Sequence, residues 1–487
     1  LGGGTLTLDA ACASSLYAIK LAVDELTSGR ADAMIAGGLS RPDSLYTQMG
    51  FTQLRAVSPR GICSPFDPAA DGLVVGEGGG AFILKRLDDA LRHGDRIWGV
   101  IAGIGLSNDR EGGLLAPASE GQLRAMHAAY AQAGWSPQSV GLIECHATGT
   151  PVGDAVELES LKRLWTNAPT GTRAVLGSVK SSIGHLLTGA GAAALTKVLF
   201  ALNEGILPPT ANHHTPTPTL SASPFHVLTQ PATWSGERRA AISAFGFGGI
   251  NAHLLVEPYR PESKVPPQNG VGSLSTHPRV AVVAYAVREH HGDAVEVPAG
   301  AFRIPPREIE EMLPQQALLL LAARDAAMQA DLTPQSGAWI GVSLDLNTTN
   351  FHARWAFPEQ ADMLGPPLNA NRTMGALASI AASRLAREFR LGGPCFTVSA
   401  GDAGGLRAVE LGVRALQAGE VDAALVGAVD LRGDPREPIP GRAVAVALIL
   451  RRLDDARAEG QRILATIGEI HVSRHEMDAD CTTGLHP

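Results

Sequence analysis

The sequence predicts a layered α/β protein built from two homologous units. Three observations carry that prediction. Strand-like apolar runs alternate with helix-periodic ones along most of the chain. The composition is 45% hydrophobic with 55 glycines in 487 residues, which suits packed layers joined by turn-rich loops. A segment near the start also recurs near the end: shifted by 390 positions, Thr7–Gly37 matches Thr397–Gly427 at 12 of 31 positions.

Taken in order, Gly4–Leu8 reads as a strand running into a helix over Ala18–Leu26, with Cys12 where one gives way to the other. Ala33–Ala36 and Ala81–Leu84 read as strands, Gln122–Ala133 as a helix and Val140–Cys145 as a strand. Ala155–Leu164 reads as a helix, Val175–Val179 as a strand, Ala190–Leu202 as a helix and Ala240–Ser243 as a strand. Pro258–Pro278 holds prolines at 258, 261, 266 and 267 among Ser, Gly and Gln, the composition of a linker. A buried strand restarts at Val280–Ala284. The expected organisation is therefore a first unit over 1–257, a linker over 258–278 and a second unit over 279–487.

The repeat has a second anchor. Arg86-Leu-Asp-Asp-Ala90 recurs as Arg452-Leu-Asp-Asp-Ala456 at a shift of 366, so the second copy is 24 residues shorter between the anchors. It lacks the stretch carrying Ser64-Pro-Phe-Asp67 and Gly76-Glu-Gly-Gly-Gly80. By the same comparison, the first unit is expected to lack an N-terminal portion and the second a C-terminal one. Cys12 corresponds to Asp402, so the second unit is expected to keep the fold without a nucleophile.

Composition excludes several functions. A net charge of −8 disfavours nucleic acid as the main partner, and no apolar run approaches a membrane span. The five cysteines are scattered without a CxxC pair, which argues against a structural zinc site or disulfide framework and suits a reducing cytoplasm. No metal is expected. Cys145-His146 alone would make a poor tetrahedral site, and Gly246-Phe-Gly-Gly249 lacks the βαβ context of a nucleotide loop. His213-His214 and His290-His291 read as solvated loop histidines.

Four stretches carry candidate chemistry. Thr7-Leu-Asp-Ala-Ala-Cys-Ala-Ser-Ser15 places Cys12 at a helix start, where unpaired N–H groups favour thiolate. Glu144-Cys-His-Ala-Thr-Gly-Thr-Pro-Val-Gly-Asp-Ala-Val-Glu157 puts His146 in a strand-to-helix loop. Gly177-Ser-Val-Lys-Ser-Ser-Ile-Gly-His185 does the same for Lys180 and His185. Ser243-Ala-Phe-Gly-Phe-Gly-Gly-Ile-Asn251 is a glycine hairpin.

With these four in this order and spacing, the first unit resembles a β-ketoacyl synthase of the thiolase superfamily; Ala147 stands where that family most often has Gly. The resemblance implies a thiolase-like layered αβαβα fold and a decarboxylative Claisen condensation. Cys12 would accept an acyl group from a carrier-protein thioester, with the N–H groups of Cys12 and Phe247 as oxyanion hole. His146 and His185 would stabilise the enolate formed when a malonyl thioester loses carbon dioxide. Lys180, paired with Glu157, would fix the position and tautomer of the histidines. Thr148 and Thr150 would bind the phosphopantetheine arm of an acyl carrier protein, and Phe245 with Gly246 would line and gate the acyl pocket. No cofactor is implied beyond that carrier-borne arm. The second unit resembles a chain-length factor, and the tandem is similar to the ketosynthase–chain-length-factor subunit of bacterial polyunsaturated fatty acid synthases. Phe302–Gln316 and Thr348–Trp355 carry that second likeness. The two units are expected to pack as a pseudo-symmetric dimer. A non-catalytic scaffold, the condensing enzyme of a related polyketide or glycolipid synthase, and a cysteine acyltransferase or hydrolase remain as alternatives.

Overall fold

In a computed structural model the described residues are 3–260, 278–290, 295–342, 367–430 and 443–470, apart from 42, 43, 167, 170, 368, 402 and 469. Asp402, Thr348–Trp355 and most of the linker lie outside them. The first unit contributes strands β1 (Thr7–Asp9), β2 (Met34–Ser40), β3 (Gly78–Leu84), β4 (Val100–Asn108), β5 (Leu142–Glu144), β6 (Ala174–Gly177), β7 (Ile206–Leu207), β8 (Phe225–Val227), β9 (Ala232–Thr233), β10 (Ala240–Gly246) and β11 (Ile250–Glu257). The second contributes β12 (Val280–His290), β13 (Gly337–Val342), β14 (Cys395–Ser399), β15 (Ala423–Asp430), β16 (Ala443–Arg452) and β17 (Ala465–Ile467).

Two large sheets organise the molecule. One has six strands in the order β4-β11-β10-β5-β6-β8, the other seven in the order β1-β14-β13-β15-β16-β12-β17. Its edge strand β1 belongs to the first unit and all the others to the second. β1 pairs antiparallel with β14 in the register Thr7↔Ser399, Leu8↔Val398, Asp9↔Thr397. In the repeat, Thr7 corresponds to Thr397 and Leu8 to Val398, so the pairing is two-fold about Leu8 and Val398. The isologous contact expected of paired homologous units is thus made within one chain.

The helices cover these sheets because their small and apolar residues recur at helical spacing. Ser14–Thr27 buries Leu16, Tyr17 and Ile19 completely. Helix Ala190–Glu204 begins with Gly191 and Ala192 against it; a Cβ on Gly191 would sit 2.8 Å from Leu16 Cγ. One core runs through both units, with Tyr17 edge-on to Phe396 at 5.4 Å.

The repeat shows where the units differ. In the second, β13 lies between β14 and β15, and helix Pro314–Ala327 packs on β15 and β16, burying Leu425, Val429 and Ile449. The matching first-unit residues Ile35, Leu39 and Ile83 are 55%, 74% and 74% exposed. Among the described residues, nothing stands between β1 and β2, and β2 pairs only with β3.

The expected elements are present with shifted ends. The helix anticipated from Ala18 starts at Ser14, and the strand anticipated at Ala240–Ser243 runs to Gly246. β4 and β11 have no counterpart in the sequence reading. They are buried strands beside one another, and short continuous apolar runs carry no period of their own. His213 is not solvated: it is 5% exposed, with Nδ1 3.0 Å from the Pro65 carbonyl oxygen.

Candidate active site

Cys12 sits in a turn built by its neighbours. Ala11, just before it, has φ +49°, a left-handed conformation that residues with a side chain adopt at a cost. Asp9 Oδ1 accepts from Ala11 N at 2.8 Å. Ser14 Oγ accepts from Ala10 N at 2.9 Å and donates to Ala11 O at 2.7 Å. The other Asp9 oxygen accepts from the backbone N–H of Ser379 in the second unit, at 3.1 Å. Cys12 lies in the short 3-10 turn Ala11–Ala13 ahead of the long helix.

The glycine hairpin between β10 and β11 closes over this turn. A Cβ on Gly246 would lie 2.8 Å from Ala11 Cβ and 3.1 Å from Cys12 N, so only glycine allows the approach. Gly248 N donates to Leu114 O at 2.7 Å, tying the hairpin to the neighbouring loop. The N–H groups of Phe247 and Cys12 both bear on the Cys12 sulfur.

His146 and His185 approach from the six-stranded sheet. His146 follows β5, His185 follows the short helix Lys180–Ile183 after β6, and β5 and β6 are parallel neighbours. The rings meet edge to face at 5.3 Å between centroids. The Cys12 sulfur and one nitrogen of each imidazole lie within 4.8 Å of one another. His146 Nδ1 and both ring nitrogens of His185 are buried without a hydrogen-bond partner among the described residues. Buried polar atoms of this kind are costly unless a ligand satisfies them.

The stretch absent from the second copy holds these loops in place. His185 N donates to Val74 O at 2.7 Å and Gly76 N to His185 O at 3.0 Å. Gly72 N donates to Gly149 O at 2.9 Å, and Phe66 N to Asp154 Oδ2 at 2.9 Å. The 24-residue difference in the repeat is therefore a clamp on the histidine loops.

Two expectations need correction. Burial pushes the Cys12 thiol up to about 12, against the positive charge of Lys180 and the N–H groups of Phe247 and Cys12. Desolvation of the buried sulfur outweighs the helix end and shifts the balance from thiolate toward thiol. Lys180 is also not paired with Glu157. Its Nζ donates to Cys145 O at 3.3 Å. Glu157 accepts instead from His146 N and Ala147 N, both at 2.8 Å, and burial raises its carboxyl to about 7. Lys180 acts on the histidines through its charge. Burial first, and then that charge, hold both imidazoles well below their ordinary value.

A cavity of about 250 Å³ joins the sulfur to the surface, and Thr148, Thr150, Phe245, Phe247 and Leu114 are among the residues lining it. The hydroxyls of Thr148 and Thr150 lie 3.0 Å apart. Residues not singled out in the sequence also matter. Asp9 and Asp154 hold the turn and the loop, and Glu144 takes the Lys197 ammonium at 2.7 Å behind them. Each lies within a motif, but only folding shows what its carboxylate reaches. From the second unit, Met374, Leu377 and Ile380 pack on Leu114, Leu115 and Phe247.

Comparison with known proteins bears on the family and the fold. The profile for "Beta-ketoacyl synthase, N-terminal domain" matches residues 1–90 and again 273–447. "Beta-ketoacyl synthase, C-terminal domain" matches 98–214, and "Ketoacyl-synthetase C-terminal extension" matches 215–296. A polyunsaturated fatty acid synthase subunit of Thraustochytrium sp. is 31% identical over 89% of this chain, which spans 24% of that protein. "Polyketide synthase ThaG" of Burkholderia thailandensis is 41% identical over 53% of this chain and 5% of its own. The solved structure "PfaC Keto synthase-Chain length factor" superposes with a TM-score of 0.82 at 28% identity, covering 96% of this chain and 60% of its own. The family models, the relatives and the doubled scaffold have one common account: the chain belongs to the β-ketoacyl synthase family, with a thiolase-like ketosynthase unit joined to a chain-length-factor-like one.

Proposed function

We propose that the first unit catalyses decarboxylative condensation of an acyl group held on Cys12 with a malonyl group on an acyl carrier protein. The observation that supports it most is the convergence of the Cys12 sulfur, two unpartnered neutral imidazoles and the N–H groups of Cys12 and Phe247 on one cavity. Cys12 Sγ attacks the acyl thioester, its proton passes to the departing carrier thiol, and the oxyanion rests on the two N–H groups. The malonyl thioester then takes the same cavity, its carbonyl oxygen facing His146 and His185. Carbon dioxide leaves, and the two imidazole N–H groups stabilise the enolate. The enolate carbon attacks the acyl-cysteine; a carbon–carbon bond forms, the carbon–sulfur bond breaks, and the released Cys12 thiolate takes up one proton from solvent water, the proton the overall condensation consumes. Neutral histidines are needed as N–H donors, and burial beside Lys180 keeps them neutral.

Thr148 and Thr150 would take the phosphopantetheine arm along the cavity, with Phe245 beside His146 at 5.9 Å between ring centroids. Lys180 and Glu157 act as positioning residues. The second unit, through Met374, Leu377 and Ile380 behind the cavity wall, would set the acyl length accommodated. The chain spans about a quarter of the length of the Thraustochytrium relative.

The test is acyl transfer and carbon dioxide release. A labelled acyl-carrier protein should label Cys12 and not the Cys12→Ala variant, and malonyl-carrier protein should release carbon dioxide in a His146- and His185-dependent way. Equal labelling of the Cys12→Ala variant, or no carbon dioxide release, would leave a scaffold as the better account.

A further inference from the structure

The internal repeat allows each contact between the two units to be compared with the contact that two like units would make. Lys20 bridges to Glu420 across the interface at 2.5 Å and to Asp24 in its own helix at 2.7 Å. Arg414 bridges to Glu25 across the interface and to Glu410 in its own helix. In the repeat, Lys20, Asp24 and Arg30 correspond to Glu410, Arg414 and Glu420. The charge is inverted at all three positions.

The consequence follows from the two-fold pairing about Leu8 and Val398. Two first units from separate copies would set Lys20 against Arg30 of the second copy, and Glu25 against its Asp24. Two second units would set Glu410 against Glu420 of the second copy, and Arg414 against Ala415, where Glu25 has no acidic counterpart. Lys20 is only 7% exposed, so a like charge brought to it is poorly screened by water or salt. The apolar centre of the interface discriminates little: Leu8 would face another Leu8, and Tyr17 would meet Leu6 where it now meets Phe396.

We propose that the inverted charges at 20/410, 24/414 and 30/420 are a pairing code. They direct the unlike units onto one another and bar first units of separate copies from pairing. The device is independent of the chemistry at Cys12.

Two experiments on the full chain test it. Lys20→Glu and Glu420→Lys, made singly, are expected to lower the thermal midpoint by about 5 °C. Combining Lys20→Glu, Asp24→Lys and Glu420→Lys inverts the whole cluster and should recover at least half of the loss; a combined variant no more stable than the singles overturns the proposal. The second experiment reads wrong pairing directly. Leu8 lies on the two-fold, so in a first-unit pair a Leu8→Cys chain brings two thiols opposite one another, within disulfide reach. Refolded at high concentration under oxidation, Leu8→Cys with native charges should give few chain-to-chain disulfide dimers. Adding Asp24→Arg and Arg30→Glu, which makes the first-unit surface self-complementary, should raise the dimer yield at least about fivefold. Equal yields in the two backgrounds, zero included, overturn the proposal.

Discussion

The Asp9 carboxylate joins the Cys12 turn to the second unit: one oxygen holds Ala11 N at 2.8 Å and the other Ser379 N at 3.1 Å. The strained Ala11, and so the position of Cys12, depends on a residue roughly 370 positions away. Burial raises the Asp9 carboxyl against these two donors, so the contact is a desolvated one.

Asp9→Ala should therefore impair both units together. It leaves two N–H groups without an acceptor, and a loss of about 1–3 kcal/mol per orphaned group is expected in denaturant unfolding. Acyl labelling of Cys12 should fall more than stability alone explains. Wild-type labelling in a folded Asp9→Ala chain would show that the turn does not need the carboxylate.

Alkylation of Cys12 should be slow and steeply pH-dependent. With the thiol pushed up to about 12, thiolate is scarce near neutral pH and grows about tenfold per pH unit. Mass-spectrometric labelling with iodoacetamide between pH 6 and 10 should rise without a plateau. A plateau near pH 8 or 9 would mean that the turn favours thiolate after all.

Glu157→Ala should cost more stability at pH 5 than at pH 8. The Glu157 pKa is raised from 4.5 to about 7 by burial. Its contribution is then fully present below about pH 4.5 and is lost as pH rises through about 7. Removing the carboxyl also frees His146 N and Ala147 N, so carbon dioxide release should fall at every pH. Comparing urea midpoints at the two pH values checks the sign, and a larger loss at pH 8 contradicts it.

Gly248→Ala should damage the joint between hairpin and second unit. Its Cβ would collide with Ser383 Oγ, and the residue sits at φ +87°. A loss of about 1–3 kcal/mol from overpacking is expected, with a further cost of roughly 1–2 kcal/mol for the left-handed backbone. Adding Ser383→Gly should recover the first part and not the second. No recovery in thermal unfolding would locate the strain elsewhere.

Much of the site was legible before folding because its chemistry is written in local motifs. Cys12, His146, Lys180, His185 and the Gly246–Gly249 hairpin each lie at or shortly after the end of a strand, and β5, β6 and β10, which precede all but Cys12, are neighbours in one sheet. The electrostatics were less legible. A helix start suggests thiolate at Cys12, but the depth of burial that reverses it comes from distant chain. Likewise Lys180 and Glu157 invite pairing by charge, yet backbone groups took both.

By itself, the sequence determined that one scaffold occurs twice, that only the first copy bears the cysteine, and that 24 residues distinguish the copies. Those are local identities, independent of packing. Tertiary structure decided what those residues do. It made the 24-residue stretch a clamp on two histidine loops, turned β1 into an edge strand of the other unit's sheet, and set Lys20 against Glu420. Such contacts join residues tens to hundreds of positions apart, and a linear pattern carries no record of which desolvated charges will meet.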